Sequence, residues 1–276
     1  MNPALRVDSL TKCFGDVEAL TDVDLEVNPD ELLVILGPTG AGKTTLLRAI
    51  CGLEAPDAGT IQIGKKDITH AMPAERDIAL VFQNFSLYPD WSVRENITFP
   101  LRAPGRNHTV KEIEERVAWA ADILKISHLL ERGATKLSGG EMQRVAIGRA
   151  IVRRPALFLM DEPLTNLDAK LRESLRVELV TLRRELGTPM IFVTHDQVEA
   201  MSMGDRIAVL NHGRILQEGG PESVYSHPVS PEVALQLGSP PINIIKAART
   251  ANDWVAKDGT LLVTAVQGPD SSAATI

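Results

Sequence analysis

The sequence Gly-Pro-Thr-Gly-Ala-Gly-Lys-Thr-Thr at residues 37–45 restricts the possible folds of this chain more than any other stretch. It fits the pattern G-x-x-x-x-G-K-[ST] at every fixed position. The preceding run, Leu32–Leu36, is short and apolar, which is typical of a strand buried on both faces of a parallel sheet. The following run, residues 45–50, has apolar residues at helical spacing and stops near Gly52. The sequence therefore predicts a strand, a glycine loop and a helix in that order.

The loop at residues 37–45 is suited to binding phosphate. Successive backbone N–H groups and the free N–H groups of the following helix point to one place, where the helix dipole also favours negative charge. We expect Lys43 to reach the outer phosphates and the hydroxyl of Thr44 to be a ligand of Mg²⁺. The alternative is a plain glycine turn with an exposed lysine. That alternative does not account for the match at every fixed position and on both flanks.

The overall charge and the cysteine content exclude several classes of protein. The chain has 276 residues, enough for one large domain or a domain with a small appendage. Its formal net charge of −7 argues against a sequence-independent nucleic-acid binder, which needs a basic surface.

Cys13 and Cys51 are the only cysteines, which indicates a reducing compartment and no disulfide framework. No secretory signal and no apolar run of about 20 residues is visible, so other chains are expected to provide any membrane attachment.

The two ends of the chain are predicted to be rich in short strands. Residues 5–9 and 23–27 alternate in polarity as antiparallel strands do, and residues 206–210 and 215–219 indicate a closing hairpin. Phe14 lies near a glycine ahead of the phosphate loop, where it either stacks on a base or packs in the core. Residues 238–241 are typical of a hinge, and residues 242–276 are expected to hold three short strands without a core of their own.

Polar side chains follow three further apolar strands. Gln83 follows residues 78–82, Asp161 and Glu162 follow residues 156–160, and His195 lies two residues beyond the strand at 189–193. Because open α/β sheets bind ligands at the carboxyl ends of their strands, we expect these side chains to meet at one edge. Taken singly, Gln83 is equally explained as a residue that opens a loop, and His195 as a structural histidine.

The adjacent carboxylates of Asp161 and Glu162 indicate chemistry. Two carboxylates at the tip of a buried strand are costly unless a cation or a proton-transfer task holds them there. In a protein with a phosphate loop, Asp161 is expected to hold the metal shell, and Glu162 is expected to orient or polarise the attacking water.

A helical lobe is expected between residues 84 and 136, with a long amphipathic helix inside residues 109–130. After it, Ser138 and Glu141 have the spacing of a capping box at the start of another helix. Gly139 and Gly140 weaken that helix, which favours the close approach of another molecule, although an ordinary capped helix is the open alternative. Asp168 is expected to cap the helix at residues 169–186.

These motifs, taken together and in this order, resemble the ATP-binding subunit of ATP-binding-cassette (ABC) transporters over roughly residues 5–225. Finer features at residues 76–84, 87–89, 194–201 and 238–243 are similar to the importer ATPases for sugars and related polyols. The resemblance implies an α/β fold of the P-loop NTPase class, with a RecA-like mixed sheet, an antiparallel β subdomain and an inserted helical subdomain at about residues 87–155. It divides the chain into an ATPase domain at 1–236 and a short β-rich, OB-like extension at 237–276.

The resemblance also implies a role for each site residue. Two subunits are expected to face each other head to tail with two ATP molecules between them. The nucleotide contacts are expected from Phe14 at the adenine, from Gly37, Pro38, Thr39, Gly40, Ala41, Gly42, Lys43, Thr44 and Thr45 at the phosphates, and from Ser138, Gly139 and Gly140 at the ATP of the other subunit, with Asp168 at the dimer seam. Thr44, Gln83 and Asp161 are expected to surround Mg²⁺. The expected catalytic set is Lys43, Gln83, Glu162, which acts on water, and His195, which contacts the γ-phosphate.

The implied partners are a second copy of the chain or a paralogous ATPase subunit, two transmembrane permease subunits, and indirectly an extracytoplasmic solute-binding protein, but no nucleic acid. The permeases are expected near Gln83 and residues 87–93, on the cytoplasmic face of the inner membrane. Three features depart from the family pattern. Glu141 replaces the usual glutamine, Asp90-Trp91-Ser92 replaces His-Met-Thr, and only the beginning of the sugar subgroup's C-terminal β-barrel is expected here.

Two rival functions use the same phosphate loop. A soluble cassette ATPase acting on nucleic acid or the ribosome usually has paired cassettes or long coiled-coil insertions, whereas this chain has one cassette and a modest helical lobe. The second alternative, a P-loop kinase that phosphorylates a small molecule, does not explain the motif at residues 137–141. The transported substrate is outside the reach of the sequence, because the substrate pocket belongs to other chains.

Overall fold

The structure is a computed structural model that describes residues 3–103, 105–238, 242–245, 247–249, 253–256 and 261–264. In chain order the strands are β1 (Leu5–Phe14), β2 (Val17–Val27), β3 (Leu32–Leu36), β4 (Ala58–Ile63), β5 (Lys66–Asp67), β6 (Ile78–Val81), β7 (Leu157–Asp161), β8 (Met190–Thr194), β9 (Arg206–Asn211), β10 (Arg214–Gly219), β11 (Ala247–Arg249), β12 (Asp253–Ala256) and β13 (Leu261–Thr264). The α-helices are α1 (Lys43–Cys51), α2 (Val93–Thr98), α3 (Val110–Ile123), α4 (Gly139–Ile151), α5 (Ala169–Leu186), α6 (Gln197–Met203), α7 (Pro221–Ser226) and α8 (Pro231–Leu235). Within the described ranges, no helix has the length and apolarity needed to cross a bilayer.

A six-stranded sheet in the order β10-β9-β3-β8-β7-β6 forms the centre of the molecule. Its strands are parallel except for β10, which pairs antiparallel with β9. Strands β3, β7 and β8 are buried along their whole length, as their apolar sequences predict. Strands β7 and β8 each lie one residue further along the chain than predicted, because the polar residues Asp161 and Thr194 still pair with the neighbouring strand.

The central sheet separates two apolar cores. Leu32, Val34 and Leu36 of β3 face the core that contains the helices α2 to α6. Leu33 and Ile35 face the other core, which contains α1 and the antiparallel sheet. Successive strand residues point to opposite faces, so a continuous apolar run is needed to fill both cores at once.

The second sheet is antiparallel, in the order β2-β1-β4-β5. The two strands predicted at residues 5–9 and 23–27 are only the outer parts of β1 and β2, which continue to a turn at Gly15 and Asp16. The pairing of β1 with β2 shifts after Val7, Leu10 and Lys12. These irregularities interrupt the polar and apolar alternation, which explains why the pattern predicted strands that were too short.

Helices α2, α3 and α4 lie between β6 and β7 in the chain, as the predicted helical lobe requires. Thr109 caps α3 together with Glu112, and the predicted apolar face of α3 is buried at Val117, Ala120 and Ala121. The boundaries at residues 87–155 stay a prediction.

Strands β11 to β13 form a separate three-stranded antiparallel sheet, in agreement with the three strands expected after residue 242. The division of the chain at residue 236 stays a prediction. Of the predicted hinge at residues 238–241, the last three residues lie outside the described ranges.

Candidate functional site

The phosphate loop connects β3 to α1, and its last glycine begins the helix. Gly42 is the residue before α1, with a left-handed φ of 105°. A Cβ atom at this position would lie 2.5 Å from the carbonyl oxygen of Ala19, so both the backbone angle and the close approach require glycine. The helix begins at Lys43, two residues earlier than predicted, because polar residues at its start carry no apolar signal.

Lys43 is the centre of the buried polar contacts at this loop. Its side chain is only 5% exposed, and Nζ donates to the carbonyl oxygens of Gly37 at 2.9 Å and Pro38 at 3.0 Å. The same ammonium lies 3.2 Å from Oε1 of Glu162. The alternative of a plain glycine turn with an exposed lysine is therefore wrong. Lys43 is buried, and its ammonium group lies against the loop.

Thr44 and Asp161 are joined across the floor of the site. The hydroxyl of Thr44 donates to Oδ1 of Asp161 at 3.1 Å. Burial raises the pKa of the Asp161 carboxyl, the Thr44 hydrogen bond opposes this, and the nearby charge of Glu162 raises it further. Hydroxyl and carboxylate oxygens are hard ligands that suit Mg²⁺, and a cation would relieve the cost of this buried carboxylate. Among the residues that the structure describes, no three His, Cys, Asp or Glu side chains form a metal cluster.

Glu162 lies at the junction of the two neighbouring strands β7 and β8. Its φ of 44° is in the left-handed region, and its N–H donates to the carbonyl of Val193 at 3.1 Å. One carboxylate oxygen contacts Lys43, and the other lies 3.0 Å from Nδ1 of His195. A strained backbone at a polar residue is a mark of function when the surroundings fix it, as they do here.

An open cleft of about 650 Å³ is lined by most of the site residues that were predicted at the ends of the strands. Its walls are formed by Val17, Glu18, Ala19, Thr39, Gly40, Gly42, Lys43, Thr44, Thr45, Gln83, Glu162, Thr165, His195, His212 and Gly213. Gln83, Glu162 and His195 are therefore brought to the loop, as expected from a shared sheet edge.

Sequence reasoning missed the part of the cleft formed by β2 and by the turn between β9 and β10. His212 and Gly213 form this turn, both with positive φ, and Gly213 N–H donates to the carbonyl of Ala41. Strand β9 is the parallel neighbour of β3, so its carboxyl end reaches the same edge as the phosphate loop. The rule that identified Gln83 would have identified His212 if the strand order had been known.

The segment at residues 138–140 does not line this cleft. Ser138 and Glu141 form the predicted capping box, with Ser138 N–H donating to Oε2 of Glu141 at 2.7 Å. These hydrogen bonds lower the pKa of the Glu141 carboxyl. Asp168 caps α5 as predicted, through Leu171 N–H at 3.0 Å.

Phe14 is also outside the residues that line the cleft. It lies at the end of β1 with 46% of its surface exposed, and Lys12 Nζ lies 5.3 Å from the ring centroid. The alternative that Phe14 packs in the core is therefore wrong. An exposed ring at this strand end is free to contact a base.

A model of the ABC transporter family matches residues 20–165 of the chain. The chain belongs to the ABC transporter family. The sn-glycerol-3-phosphate import ATP-binding protein UgpC of Brucella abortus is 51% identical over 246 residues, which cover 89% of this chain and 70% of that protein. The trehalose/maltose import ATP-binding protein MalK of Thermococcus litoralis is 50% identical over 257 residues, which cover 91% of this chain and 68% of that protein. These relatives confirm the predicted resemblance to sugar and polyol importer ATPases.

Solved structures of ABC cassettes share the fold. An ATP-binding cassette of an ABC transporter in its ADP conformation superposes with a TM-score of 0.75 at 29% identity, covering 84% of this chain and 98% of that one. CbiO1 of Clostridium perfringens, described as part of the transporter complex CbiONQ, also gives a TM-score of 0.75 at 29% identity, covering 85% and 94%. The predicted cassette fold is confirmed, and with it the class of ATP-binding transporter ATPases.

Proposed function

We propose that this chain hydrolyses Mg²⁺-bound ATP in a head-to-tail dimer and so drives the import of a sugar, a polyol or a related phosphate ester. The observation that carries this proposal is the connected set of Lys43, Glu162 and His195 beside the Thr44–Asp161 pair, all at the end of the phosphate loop. The relatives named above are import ATP-binding proteins, which favours import over the nucleic-acid and ribosome alternative.

The phosphate loop and its neighbours would bind the triphosphate. The backbone N–H groups of residues 39–45, at the start of α1, favour negative charge at the mouth of the cleft. Thr44 and Asp161 would hold Mg²⁺ with the help of Gln83, which lines the same cleft. The ion would neutralise charge on the phosphate oxygens. Lys43 pairs with Glu162 in this structure, and phosphate oxygens would compete for the same ammonium.

Glu162 and His195 would carry the hydrolysis step. Water attacks the γ-phosphorus, the bond to the β–γ bridging oxygen breaks, and ADP leaves with that oxygen. A carboxylate oxygen of Glu162 accepts the proton of the water or holds the water in line. His195 is half exposed next to Glu162, from where its imidazole would contact the γ-phosphate.

A second subunit would complete the site. Ser138 and Gly139 begin a 13-residue helix whose free N–H groups favour an anion, yet they do not line the cleft of their own chain. The phosphates of a partner's nucleotide would fit this position. The partner is a second copy of the chain or a paralogous ATPase, with Asp168 at the seam and Phe14 of each chain on its own adenine.

The permease subunits would dock beside Gln83. A groove of about 470 Å³ lies there between β6 and α4, with the side chains of Tyr88, Phe99 and three arginines, Arg106, Arg149 and Arg153, in its walls. We place the two permeases at this groove, one on each ATPase subunit of the dimer. The ATPase subunits would lie on the cytoplasmic face of the inner membrane, with a solute-binding protein on the other side.

The proposal is tested by purifying the chain from membranes with gentle detergent. Two hydrophobic permease subunits and an associated solute-binding protein are expected, together with ATP hydrolysis stimulated by the transported solute. Co-purification with ribosomes or DNA instead, without permeases, would contradict import. Hydrolysis that stays at the wild-type rate in the Glu162→Gln variant would contradict the role of Glu162.

A further inference from the structure

A buried chain of hydrogen bonds holds the turn that carries His195. The hydroxyl of Thr194 donates to Oε2 of Glu199 at 2.6 Å and accepts the N–H of Asp196 at 2.9 Å. The carbonyl of Thr194 accepts the N–H of Gly37 at 3.3 Å. Thr194 therefore connects the end of β8, the first residue of the phosphate loop and the start of α6.

Glu199 is an unusual side chain for its position. It is only 3% exposed, and its one side-chain hydrogen bond among the described residues is with Thr194. Burial raises the pKa of its carboxyl, while the hydrogen bond and the charges of Arg172 and Arg176 oppose the rise. Arg172 itself lies 3.7 Å from the carboxylate of Asp196. Because burying a carboxylate costs stability, its presence here suggests that the side chain of Glu199 has a function that offsets this cost.

The contacts of Asp196 and Glu199 fix the turn from both sides. Oδ1 of Asp196 accepts the N–H groups of Val198 at 2.7 Å and of Glu199 at 3.2 Å, which caps α6. Glu199 in turn accepts the only proton of the Thr194 hydroxyl, so that a lone pair of this hydroxyl faces the Asp196 N–H. The one residue between these anchored positions is His195.

We propose that Glu199 is a positioning residue that fixes the imidazole of His195 at the γ-phosphate. This inference rests on the role proposed above for His195. Without an acceptor at position 199, the hydroxyl proton of Thr194 is no longer held, and the hydroxyl oxygen is no longer kept oriented toward the N–H of Asp196. The turn then holds His195 less well, at the point where its Nδ1 meets Glu162. A loss of this kind affects the chemical step more than the binding of ATP.

Steady-state ATP hydrolysis by the full chain tests this inference in four variants: Glu199→Ala, Glu199→Gln, His195→Ala and the double variant Glu199→Ala/His195→Ala. We expect Glu199→Ala to lower kcat about tenfold or more while the KM for ATP changes less than about twofold. Glu199→Gln keeps an oxygen acceptor for Thr194 and is expected to retain most of the activity. In the His195→Ala background, Glu199→Ala should have no further effect.

Every other result overturns a specific part of the proposal. Equal losses from Glu199→Ala in both backgrounds, or a Gln variant as slow as the Ala variant, would show that Glu199 does not act through His195. A His195→Ala variant with wild-type kcat would contradict the proposed function itself. If Glu199→Ala does not fold, Thr194→Val and Thr194→Ser decide the matter. Valine lacks the hydroxyl and should lower kcat, whereas serine should not, and equal activity of the two would overturn the inference.

Discussion

The ammonium of Lys43 lies 3.2 Å from the Oε1 atom of Glu162, and both side chains are largely buried. Lysine from the phosphate loop and glutamate from the end of β7 thus form one ion pair. Each charge lowers the cost of burying the other, and removal of one leaves the other without its partner. This pair links the group that would bind phosphate to the group that would act on water.

Replacing Lys43 by methionine is expected to weaken ATP binding about 10- to 100-fold, which corresponds to the loss of a charge-assisted hydrogen bond. Calorimetric titration with ATP measures the effect. Arg48→Met, in the same helix but with an exposed side chain, is the matched control and should bind ATP as the wild type does. Unchanged affinity in the Lys43→Met variant would contradict the phosphate role of this lysine.

Gly42→Ala is expected to destabilise the chain and to abolish ATP binding. The new Cβ would lie 2.5 Å from the backbone oxygen of Ala19, in addition to the strain of a φ of 105°. Gly64→Ala is the control, since Gly64 also has positive φ but open space around it. It should cost only about 1–2 kcal/mol of unfolding free energy, measured by urea denaturation, and leave ATP affinity unchanged. Equal effects of the two substitutions would contradict the close packing of the loop.

Arg76 is a structural residue that binds the carboxyl-terminal end of α1, the helix that follows the phosphate loop. It is 3% exposed, and its guanidinium donates to the carbonyl oxygens of Ala49, Ile50, Thr69 and Ala71, two of which end the helix α1. Arg76→Ala leaves these carbonyls without a donor and should lower the unfolding free energy by about 2 kcal/mol or more.

The control for Arg76 is Arg94→Ala, which removes an exposed ion pair with Glu131. Exposed pairs contribute about 0–1 kcal/mol, so urea denaturation should show a small change. A loss in the Arg76→Ala variant no larger than in this control would show that the four carbonyl contacts contribute little.

The buried carboxyl of Glu199 gives a prediction on pH. Its pKa is raised in the folded chain, mainly by burial, so its contribution to stability is full at low pH and is lost as the pH rises through the folded pKa. Glu199→Gln has no charge to bury. Its unfolding free energy relative to the wild type should therefore increase from pH 5 to pH 8 in urea denaturation. A difference that is constant or falls with pH would contradict the raised pKa.

Much of the site was predictable because its residues follow apolar strands. Gln83, Asp161 and His195 lie at or just beyond the carboxyl ends of parallel strands of one sheet, and parallel strands bring these ends to one edge. The capping roles of Ser138 and Asp168 were predictable from spacing over three residues, since they depend only on local helix geometry.

The parts that the sequence did not predict depend on long-range order. Glu18 and His212 line the cleft because β9 lies beside β3 and because β2 passes the loop, and no local pattern encodes either neighbour. Strands β1 and β2 were predicted too short because left-handed residues at Ser9 and Asp22 interrupt their alternation. In the proposed dimer, Ser138 lies at the phosphates of a nucleotide bound by a second chain. The sequence of one chain does not show how two chains are arranged.

In the proposed dimer, one ATP is held between the phosphate loop of one chain and the helix start at Ser138 of another. Glu162→Gln keeps the shape of the site but removes the carboxylate that acts on water, so ATP should remain bound. Ser138→Arg in the same background places a bulky charged side chain at the proposed interface, and this double variant should bind ATP without associating.

Light scattering coupled to size-exclusion chromatography measures this directly with Glu162→Gln in ATP and Mg²⁺. We expect twice the mass of one chain with ATP, the mass of one chain with ADP, and the mass of one chain for the double variant in ATP. A Glu162→Gln chain that binds ATP but stays a single copy, both alone in solution and in complex with its permease partners, would contradict the proposed dimer.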